Sequence, residues 1–495
     1  SEMCIRDRYQ TYDRIRKNQA SPRQLLKIMI YASMNHIYST RRIETACQRD
    51  INFMYLLEGM PAPDHATLAR FISLHLAQCS QKILAQMSSL FYELGEISGK
   101  TIFIDGTKIE SRANKYTFVW KKSVTKSMEK LFSTLTELVQ KCEEAFGLKI
   151  VYQDKISLHT LKRLRKKLYG IKKEEKIEFV HGSGKRKTLL QKCVEQLEES
   201  IDRLKKSIKQ LHVCGERNSY AKTDPDASFM RMKEDAMMNG QLKPGYNLQH
   251  GVDAEYITWV DISAHPADTL TLIPFLKGME AHLPFRYQEI VTDAGYESEE
   301  NYAFLKANGQ EAYIKPKNYE LAKTKKYKKD ISRRENMGYE AEQDQYICAE
   351  GRRLTAREER KRKSQSGYQS TVTVYECESC EGCPCKEKCI RESSKKPLEE
   401  RVKRLHVPKL LLQLRTEDEE RIKSEYGKML RMNRSIQAEG SFAEVKEDMD
   451  FRRFLYCGKQ NVLAQSILAA MGRNINKLHH KIQKGRTGNY LFGLK

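Results

Sequence analysis

The chain is 495 residues long and carries a formal net charge of +23. This length exceeds what one compact core usually serves, so we expect several domains or one domain with large insertions. No apolar run is long enough to cross a membrane, and the excess of basic residues favours a polyanionic partner such as nucleic acid, because each neutralised phosphate releases a counterion.

Short helices are predicted over residues 9–97, where apolar residues recur at helical spacing from Leu25 onward. Asp64 is a residue type that caps helix N-termini, and it precedes a candidate helix that carries Thr67 and Arg70. This region can be a helix-turn-helix that reads DNA, with Thr67 and Arg70 on its recognition helix. It can equally be a scaffold that packs against the rest of the protein, and the sequence leaves both alternatives open.

A change of composition follows the short β-rich run Thr101–Ile104. Apolar residues then alternate in steps of four and three, first from Val124 to Cys142 and again from Leu190 to Leu211. This spacing is that of a coiled-coil seam, so we predict a helical hairpin inserted over residues 116–215. The seams are expected to pack on each other through these residues: Leu131, Leu135 and Leu138 with Leu197, Ile201 and Leu204.

A basic stretch lies between the two seams and includes Lys162, Arg163 and Lys166. A purely structural hairpin would simply keep these residues in solvent. We expect instead an arm that contacts DNA or a second protomer, because basic residues close together are suited to bind phosphates.

Strand-like segments return after residue 246 and alternate with short helices. In chain order we predict strands at Tyr246–Asp253 and Thr258–Ser263, a helix capped by Asp268, a strand at Glu289–Thr292, a helix capped by Ser298, and a strand at Glu311–Lys315. This order predicts a mixed α/β layer domain.

Two predicted strands end in the same way. Asp105 follows Thr101–Ile104 and precedes Gly106, while Asp293 follows Glu289–Thr292 and precedes Ala294-Gly295. Carboxylates at the ends of neighbouring strands can share divalent metal ions, and phosphodiester chemistry commonly uses two ions about 3.5–4 Å apart. Mg²⁺ prefers such oxygen ligands.

These motifs resemble those of the DDE transposases of bacterial insertion sequences, in the group with an N-terminal helical domain and a cysteine-rich insertion. The matching motifs are Phe103-Ile104-Asp105-Gly106-Thr107, Asp224-Pro225-Asp226-Ala227, Val291-Thr292-Asp293-Ala294-Gly295-Tyr296 and Ala438-Glu439-Gly440-Ser441-Phe442. The resemblance implies an RNase H-like mixed sheet flanked by helices, built from residues 98–115, 216–316 and 405–484. It also implies that Asp105, Asp293 and Glu439 are catalytic and hold two Mg²⁺ or Mn²⁺ ions.

Glu439 lies in a segment, 436–447, that the sequence allows to be helical. Lys446 follows it by seven residues, so the two side chains would share one helix face. Glu444 is the competing acid, and we prefer Glu439 for its place in the motif. The family often has a Tyr and an Arg before this Glu; here Met432 and Ser435 stand at those positions, with Arg434 next to Ser435.

The region 317–404 interrupts the α/β pattern with basic runs and clustered cysteines, and a basic tail covers 485–495. The cysteines that follow Cys348 are Cys377, Cys380, Cys383, Cys385 and Cys389. Two CxxC-like steps can supply a tetrahedral thiolate site, so we expect one structural Zn²⁺, with free thiols as the alternative. Cysteines in a long basic chain also indicate a reducing compartment, so we expect a cytoplasmic, nucleoid-associated protein.

The sequence therefore predicts a transposase that cleaves and joins double-stranded DNA, acting as a homodimer. A non-catalytic nucleic-acid-binding protein and a nuclease of the same fold are the alternatives. The residues expected to contact DNA are Lys446, Arg434, Arg70, Lys162, Arg163 and Lys166.

Overall fold

The computed structural model describes residues 19–152, 156–182, 184–232, 240–390 and 397–489. Residues 9–18 of the predicted N-terminal domain and 490–495 of the predicted tail lie outside this part of the chain. The structure divides into two compact units. Unit 1 contains the described residues of 1–109 and 246–495, and unit 2 contains those of 110–245.

The helices and strands are numbered here in chain order. The helices are α1 Pro22–Met34, α2 Thr40–Arg49, α3 Ile51–Leu57, α4 His65–Phe71, α5 Ala77–Glu93, α6 Lys121–Phe146, α7 Leu158–Glu174, α8 Leu189–Cys214, α9 Leu272–Glu280, α10 Glu299–Ala307, α11 Lys325–Lys328, α12 Lys386–Cys389, α13 Lys409–Lys423, α14 Glu425–Arg434, α15 Gly440–Ala443 and α16 Lys459–Gln483. The strands are β1 Thr101–Glu110, β2 Phe118–Trp120, β3 Ser219–Ala221, β4 Ser228–Arg231, β5 Leu242–Asp253, β6 Tyr256–Ser263, β7 Glu289–Thr292, β8 Glu311–Ile314, β9 Gly338–Glu340, β10 Gln345–Ile347, β11 Arg353–Lys363, β12 Gln369–Cys377 and β13 Arg404–Val407.

The main sheet of unit 1 has the strand order β6-β5-β1-β7-β8. Strands β1, β7 and β8 run parallel, and β5 and β6 form an antiparallel hairpin. Ala254 and Glu255 make its tight turn with positive φ angles of 47° and 72°. The five strands and their alternation with helices agree with the prediction of a mixed α/β layer.

Helices on one side of this sheet close its hydrophobic core. Ile102 and Ile104 of β1 pack with Phe275 and Leu276 of α9, all of them buried. Ser298 caps α10 as predicted, since its Oγ accepts a hydrogen bond from the Asn301 N–H at 3.1 Å.

The N-terminal helices belong to the same compact unit as this sheet. Ser88 of α5 donates a hydrogen bond to the Thr258 carbonyl of β6 at 2.7 Å. Asn474 of α16 binds the backbone of Ile257 on the same strand through both its amide atoms, at 2.9 and 2.8 Å. This packing agrees with the scaffold alternative for α5. As predicted, Asp64 caps α4, where its carboxylate accepts from the Ala66 N–H at 2.9 Å.

Unit 2 is built around three helices rather than two. The predicted seam residues Leu135 and Leu138 of α6 share one buried cluster with Leu197, Ile201 and Leu204 of α8. Leu161, Leu164 and Leu168 of α7 complete the same cluster. The predicted seam is thus buried within one chain. The prediction of a two-helix hairpin missed only the third helix.

The cysteine-rich region contains an antiparallel sheet that the sequence did not predict. Its strand order is β13-β12-β11-β10-β9, and β11 and β12 form its longest hairpin. Strand β11 could not be predicted from its charged sequence, because Glu, Lys and Arg have no β preference and most of its side chains are exposed.

Within the described ranges, no helix is both long and apolar enough to cross a bilayer.

Candidate catalytic site

Asp105 and Asp293 occupy matching positions on two adjacent parallel strands. The β1–β7 pairing ends at Ile104 and Thr292, so each aspartate is the next residue beyond the paired segment. Adjacent strands lie about 4.8 Å apart, which brings the two backbones together at one edge of the sheet. One expectation was wrong: Asp105 does not end its strand, because β1 continues to Glu110 beside β5.

Local backbone hydrogen bonds orient both carboxylates. Oδ1 of Asp105 accepts from the Gly106 N–H at 2.8 Å, and Oδ1 of Asp293 accepts from the Gly295 N–H at 2.8 Å. Asp105 is 7% exposed. In both motifs, therefore, the backbone N–H of a glycine one or two residues after the aspartate holds the carboxylate in place.

Asp268 is a site residue that the sequence reasoning missed. It was expected to cap a helix, but it is the first residue of a 3-10 turn, Asp268–Leu270, and Thr271 precedes α9. Its Oδ1 accepts hydrogen bonds from the side-chain amides of Asn247 at 2.6 Å and Gln249 at 3.2 Å. The sequence holds no local signal for it, because its amide partners are 21 and 19 residues away along the chain.

The hydroxyl of Tyr296 lies among these acids. Burial raises its pKa well above the usual value, and the negative charges of Asp268, Asp105 and Asp293 raise it further, whereas Arg434 lowers it. The hydroxyl donates a hydrogen bond to Oε1 of Gln249. Three carboxylates and one guanidinium thus act electrostatically on one buried phenol.

Glu439 comes from a helical segment with two π-helical turns, Ser435–Glu439 and Glu444–Asp448. Arg434 connects this segment to the sheet. Its Nη2 lies 2.8 Å from Oε1 of Glu439, and its Nη1 lies 3.6 Å from Oδ2 of Asp105. One guanidinium therefore bridges two of the three predicted acids.

Glu444, the competing acid, has different partners. Its carboxylate pairs with Arg473 at 2.5 Å and with Lys477 at 3.7 Å, both on α16. Lys446 is 7% exposed, and its Nζ lies 3.4 Å from the Lys108 carbonyl on β1. Glu444 is therefore paired with α16, and Lys446 lies against the strand that carries Asp105.

The predicted acids do not form the tightest ligand group in the described part of the chain. The group whose ligand atoms all lie within 4.8 Å of one another is Glu44, Asp64 and His65, on α2 and at the start of α4. Nδ1 of His65 already lies 2.9 Å from Glu44 and 3.0 Å from Asp64, so hydrogen bonds account for that group.

A buried histidine supports the segment that carries Glu439. His250 of β5 stacks on Phe442 with ring centroids 4.2 Å apart, and its Nδ1 lies 3.2 Å from Oγ of Ser441. Burial lowers its pKa from 6.5 to about 3, with a further contribution from the charge of Arg473. His250 is therefore neutral at physiological pH and acts as a packing residue.

Four of the residues predicted to contact DNA are exposed. Arg70 lies on α4, and Lys162, Arg163 and Lys166 lie on the solvent side of α7 opposite its buried leucines. Arg434 differs from them, because its side chain is 13% exposed and is held by acids.

The clustered cysteines lie close together, but not as the spacing suggested. Burial raises the pKa of Cys377 to about 12, and the neighbouring thiols of Cys380 and Cys348 add to this effect. Cys389 has Cys348, Cys380 and Cys383 as neighbours, and burial is the main cause of its raised pKa. Cys385 instead donates to the Glu350 carboxylate at 3.0 Å. Cys348 therefore joins Cys377, Cys380 and Cys389 in one packed cluster, while the Cys385 thiol bonds Glu350.

Two segments of the chain match family models. Residues 347–479 match a Transposase DDE domain, and residues 3–74 match a Transposase domain, DUF772. No curated protein and no solved structure matches the chain.

A mixed α/β sheet that gathers carboxylates at one edge is compatible with a DDE transposase fold. Together the two matches support an insertion-sequence DDE transposase. The family implies a DNA-processing enzyme with DNA as its substrate.

Proposed function

We propose that this transposase catalyses Mg²⁺-dependent cleavage and strand transfer of insertion-sequence DNA ends. Asp105, Asp293 and Glu439 are its catalytic acids, on a domain of RNase H-like fold. The observation that carries the proposal is the register of β1 and β7, which sets Asp105 and Asp293 side by side. The bridge from Asp105 through Arg434 to Glu439 supports it.

The donor atoms fit the metal that the family implies. All are carboxylate oxygens, which are hard ligands suited to Mg²⁺ or Mn²⁺. The space beside them depends on glycine: a Cβ atom on Gly295 would lie 2.9 Å from Oδ1 of Asp293. When bound, a pair of such ions stabilises the attacking and leaving oxygens of a phosphodiester.

The basic residues of the site have a separate task. Arg434 neutralises Asp105 and Glu439 in this structure, and its planar guanidinium is also suited to bind a phosphate through two hydrogen bonds. Lys446 adds positive charge beside β1. We expect both to hold the DNA backbone next to the acids, and we expect Arg70 and the basic face of α7 to bind DNA as well.

The cysteine cluster is proposed to hold one structural Zn²⁺. Its ligands come from Cys348, Cys377, Cys380, Cys383 and Cys389, and the Lys403 N–H already donates to the Cys380 sulfur at 3.3 Å. A closed thiolate site stabilises a small sheet without taking part in catalysis. The active form is proposed to be a homodimer on DNA in the bacterial cytoplasm, associated with the nucleoid.

Purified protein incubated with DNA that carries the element's ends tests the proposed reaction. Mg²⁺-dependent nicking at the ends, followed by joining of the cut 3′ end to a second DNA, is the expected result. Nicking without joining would indicate the nuclease alternative. Binding without nicking in Mg²⁺ or Mn²⁺ would indicate the non-catalytic alternative.

A further inference from the structure

We propose that Asp268 is a further carboxylate of the metal centre, so that Asp105 and Asp293 share the ion with a third aspartate from the loop after β6. This inference rests on the proposed function and names a residue that neither the family motifs nor the sequence pattern assigned to the site.

The first observation is the way in which the two oxygens of Asp268 differ. Oδ1 accepts from the amides of Asn247 at 2.6 Å and Gln249 at 3.2 Å. Among the residues that the structure describes, Oδ2 accepts no hydrogen bond. Fixing one oxygen while leaving the other open is the arrangement by which neighbouring groups orient a metal-binding carboxylate.

The second observation is that Gln249 cannot turn its amide around. Its Oε1 accepts hydrogen bonds from the hydroxyls of Thr271 and Tyr296. Turning the amide around would set that oxygen against the carboxylate of Asp268, which can only accept. That NH₂ group donates to Asn247 Oδ1 at 2.9 Å and to Asp268. Four buried or half-buried residues thus hold Asp268 in one position.

The third observation is that the glycines of both predicted motifs leave space for Asp268. A Cβ atom on Gly106 would collide with Nε2 of Gln249 and lie 2.9 Å from Oδ1 of Asp268. A Cβ atom on Gly295 would lie 3.1 Å from Oδ2 of Asp268 and 2.9 Å from Oδ1 of Asp293. The glycine after each catalytic aspartate therefore makes room for Asp268 and its amide partner.

The fourth observation is the concentration of negative charge. Oδ2 of Asp268 and Oδ1 of Asp293 both lie beside Gly295, while Oδ1 of Asp268 and Oδ1 of Asp105 both lie beside Gly106. Like charges at such distances disfavour each other's ionised form unless a cation is shared. A divalent ion facing Oδ2 of Asp268 meets this need.

The test measures Mn²⁺ binding to the full chain by titration calorimetry in the absence of DNA. Asp268→Asn suits it, because its side-chain oxygen can still accept from Asn247 and Gln249 while an amide replaces Oδ2. We expect Mn²⁺ affinity to fall about tenfold or more, which is already the loss on altering groups that only orient metal ligands. Asp268→Ser removes the carboxylate differently and should show the same loss. Glu444→Gln, whose acid pairs with Arg473, should bind Mn²⁺ as the unaltered protein does.

Thermal unfolding separates metal binding from a purely structural role. Without metal, Asp268→Asn should melt at or above the temperature of the unaltered protein, because one like charge is removed. Its stabilisation by added Mg²⁺ should be smaller, since a ligand stabilises only in proportion to its binding. A lowered metal-free melting temperature with an intact response to Mg²⁺ would overturn the proposal in favour of a structural role.

Asp105→Asn distinguishes failure of this inference from failure of the proposed function. If Asp105→Asn loses Mn²⁺ affinity while both Asp268 variants keep it, Asp268 is not part of the metal centre and the proposed function stands. If Asp105→Asn also binds Mn²⁺ normally, the metal centre itself is wrongly placed and both proposals fall.

Discussion

At the scale of single residues, Arg434 and Glu439 show how a local irregularity of a helix can bring two side chains together. They are five residues apart, and the π-helical turn Ser435–Glu439 lies between them. In such a turn the backbone bonds run from residue i to i+5, which brings side chains five apart onto one face. The guanidinium of Arg434 therefore reaches Glu439 at 2.8 Å and still lies 3.6 Å from Asp105.

His250 gives a residue-scale prediction on stability and pH. Its folded-state pKa of about 3 lies below the ordinary 6.5, so the unfolded chain binds the extra proton. The stability from this group is fully present above pH 6.5 and is lost as pH falls from 6.5 towards 3. Between pH 7 and pH 5.5 the loss should be about 1 kcal/mol.

Urea denaturation at the two pH values measures this loss. His250→Gln should lose less stability on acidification than the unaltered protein, whereas a substitution of the exposed His282 should leave the loss unchanged. An equal loss in His250→Gln and the unaltered protein would contradict the assignment of a buried neutral histidine.

The sequence reveals only some of the residues proposed for the site. Asp105 and Asp293 could be predicted because each follows a short apolar strand, a local feature. Asp268 could not, because its role depends on amides 19 and 21 residues away. Arg434 was offset by one position from the family pattern, and α-helical spacing gives no sign of a π turn.

At the scale of elements, the cysteine-rich sheet carries a prediction on zinc. Metal analysis of the purified protein should find about one Zn²⁺ per chain. Cys348→Ser and Cys389→Ser should lower the zinc content, because these thiols are neighbours. Cys385→Ser is the matched control and should retain it, since Cys385 bonds Glu350. Zinc well below one equivalent, with every thiol titratable, would rule out the metal.

Helix α7 carries a second element-scale prediction. Replacing Lys162, Arg163 and Lys166 together by Ala should make DNA affinity less sensitive to salt, by about 0.9 in the log–log slope for each phosphate that is no longer neutralised. Arg203→Ala with Lys205→Ala is the control, because these exposed residues of the same unit already pair with Glu199 and Asp202. Equal slopes in the triple variant and the unaltered protein would show that α7 does not bind DNA.

Elements with a regular apolar pattern could be predicted, and charged ones could not. Strand β7 is a short apolar run with a clear end, and the α6 and α8 seams repeat over many turns, so both were recognised. Strand β11 is held by its backbone pairing with β12 while its charged side chains stay in solvent. The third helix of unit 2 was not predicted, because basic residues dominate the sequence of α7.

At the scale of the whole molecule, base reading and catalysis are expected to use different surfaces. Thr67→Ala with Arg70→Ala should reduce the preference for the element's own ends while keeping salt-sensitive general binding, because phosphate contacts carry no sequence information. The N-terminal helices pack in the catalytic unit, so substitutions test this better than a deletion that would remove α5. Lys27→Ala, whose Nζ pairs with Glu58 at 2.7 Å, is the control. Undiminished end preference in the double variant would place base reading elsewhere.

The most direct test of the catalytic assignment is the rate at which end-bearing DNA is cut by Asp105→Asn, Asp293→Asn and Glu439→Gln, with DNA affinity measured on the same preparations. A loss of about 4 kcal/mol of transition-state stabilisation lowers a rate about a thousandfold. We predict at least that loss for each variant, nearly unchanged DNA binding, and near-normal cutting by Glu444→Gln. Cutting at the unaltered rate by any of the three variants would contradict the account.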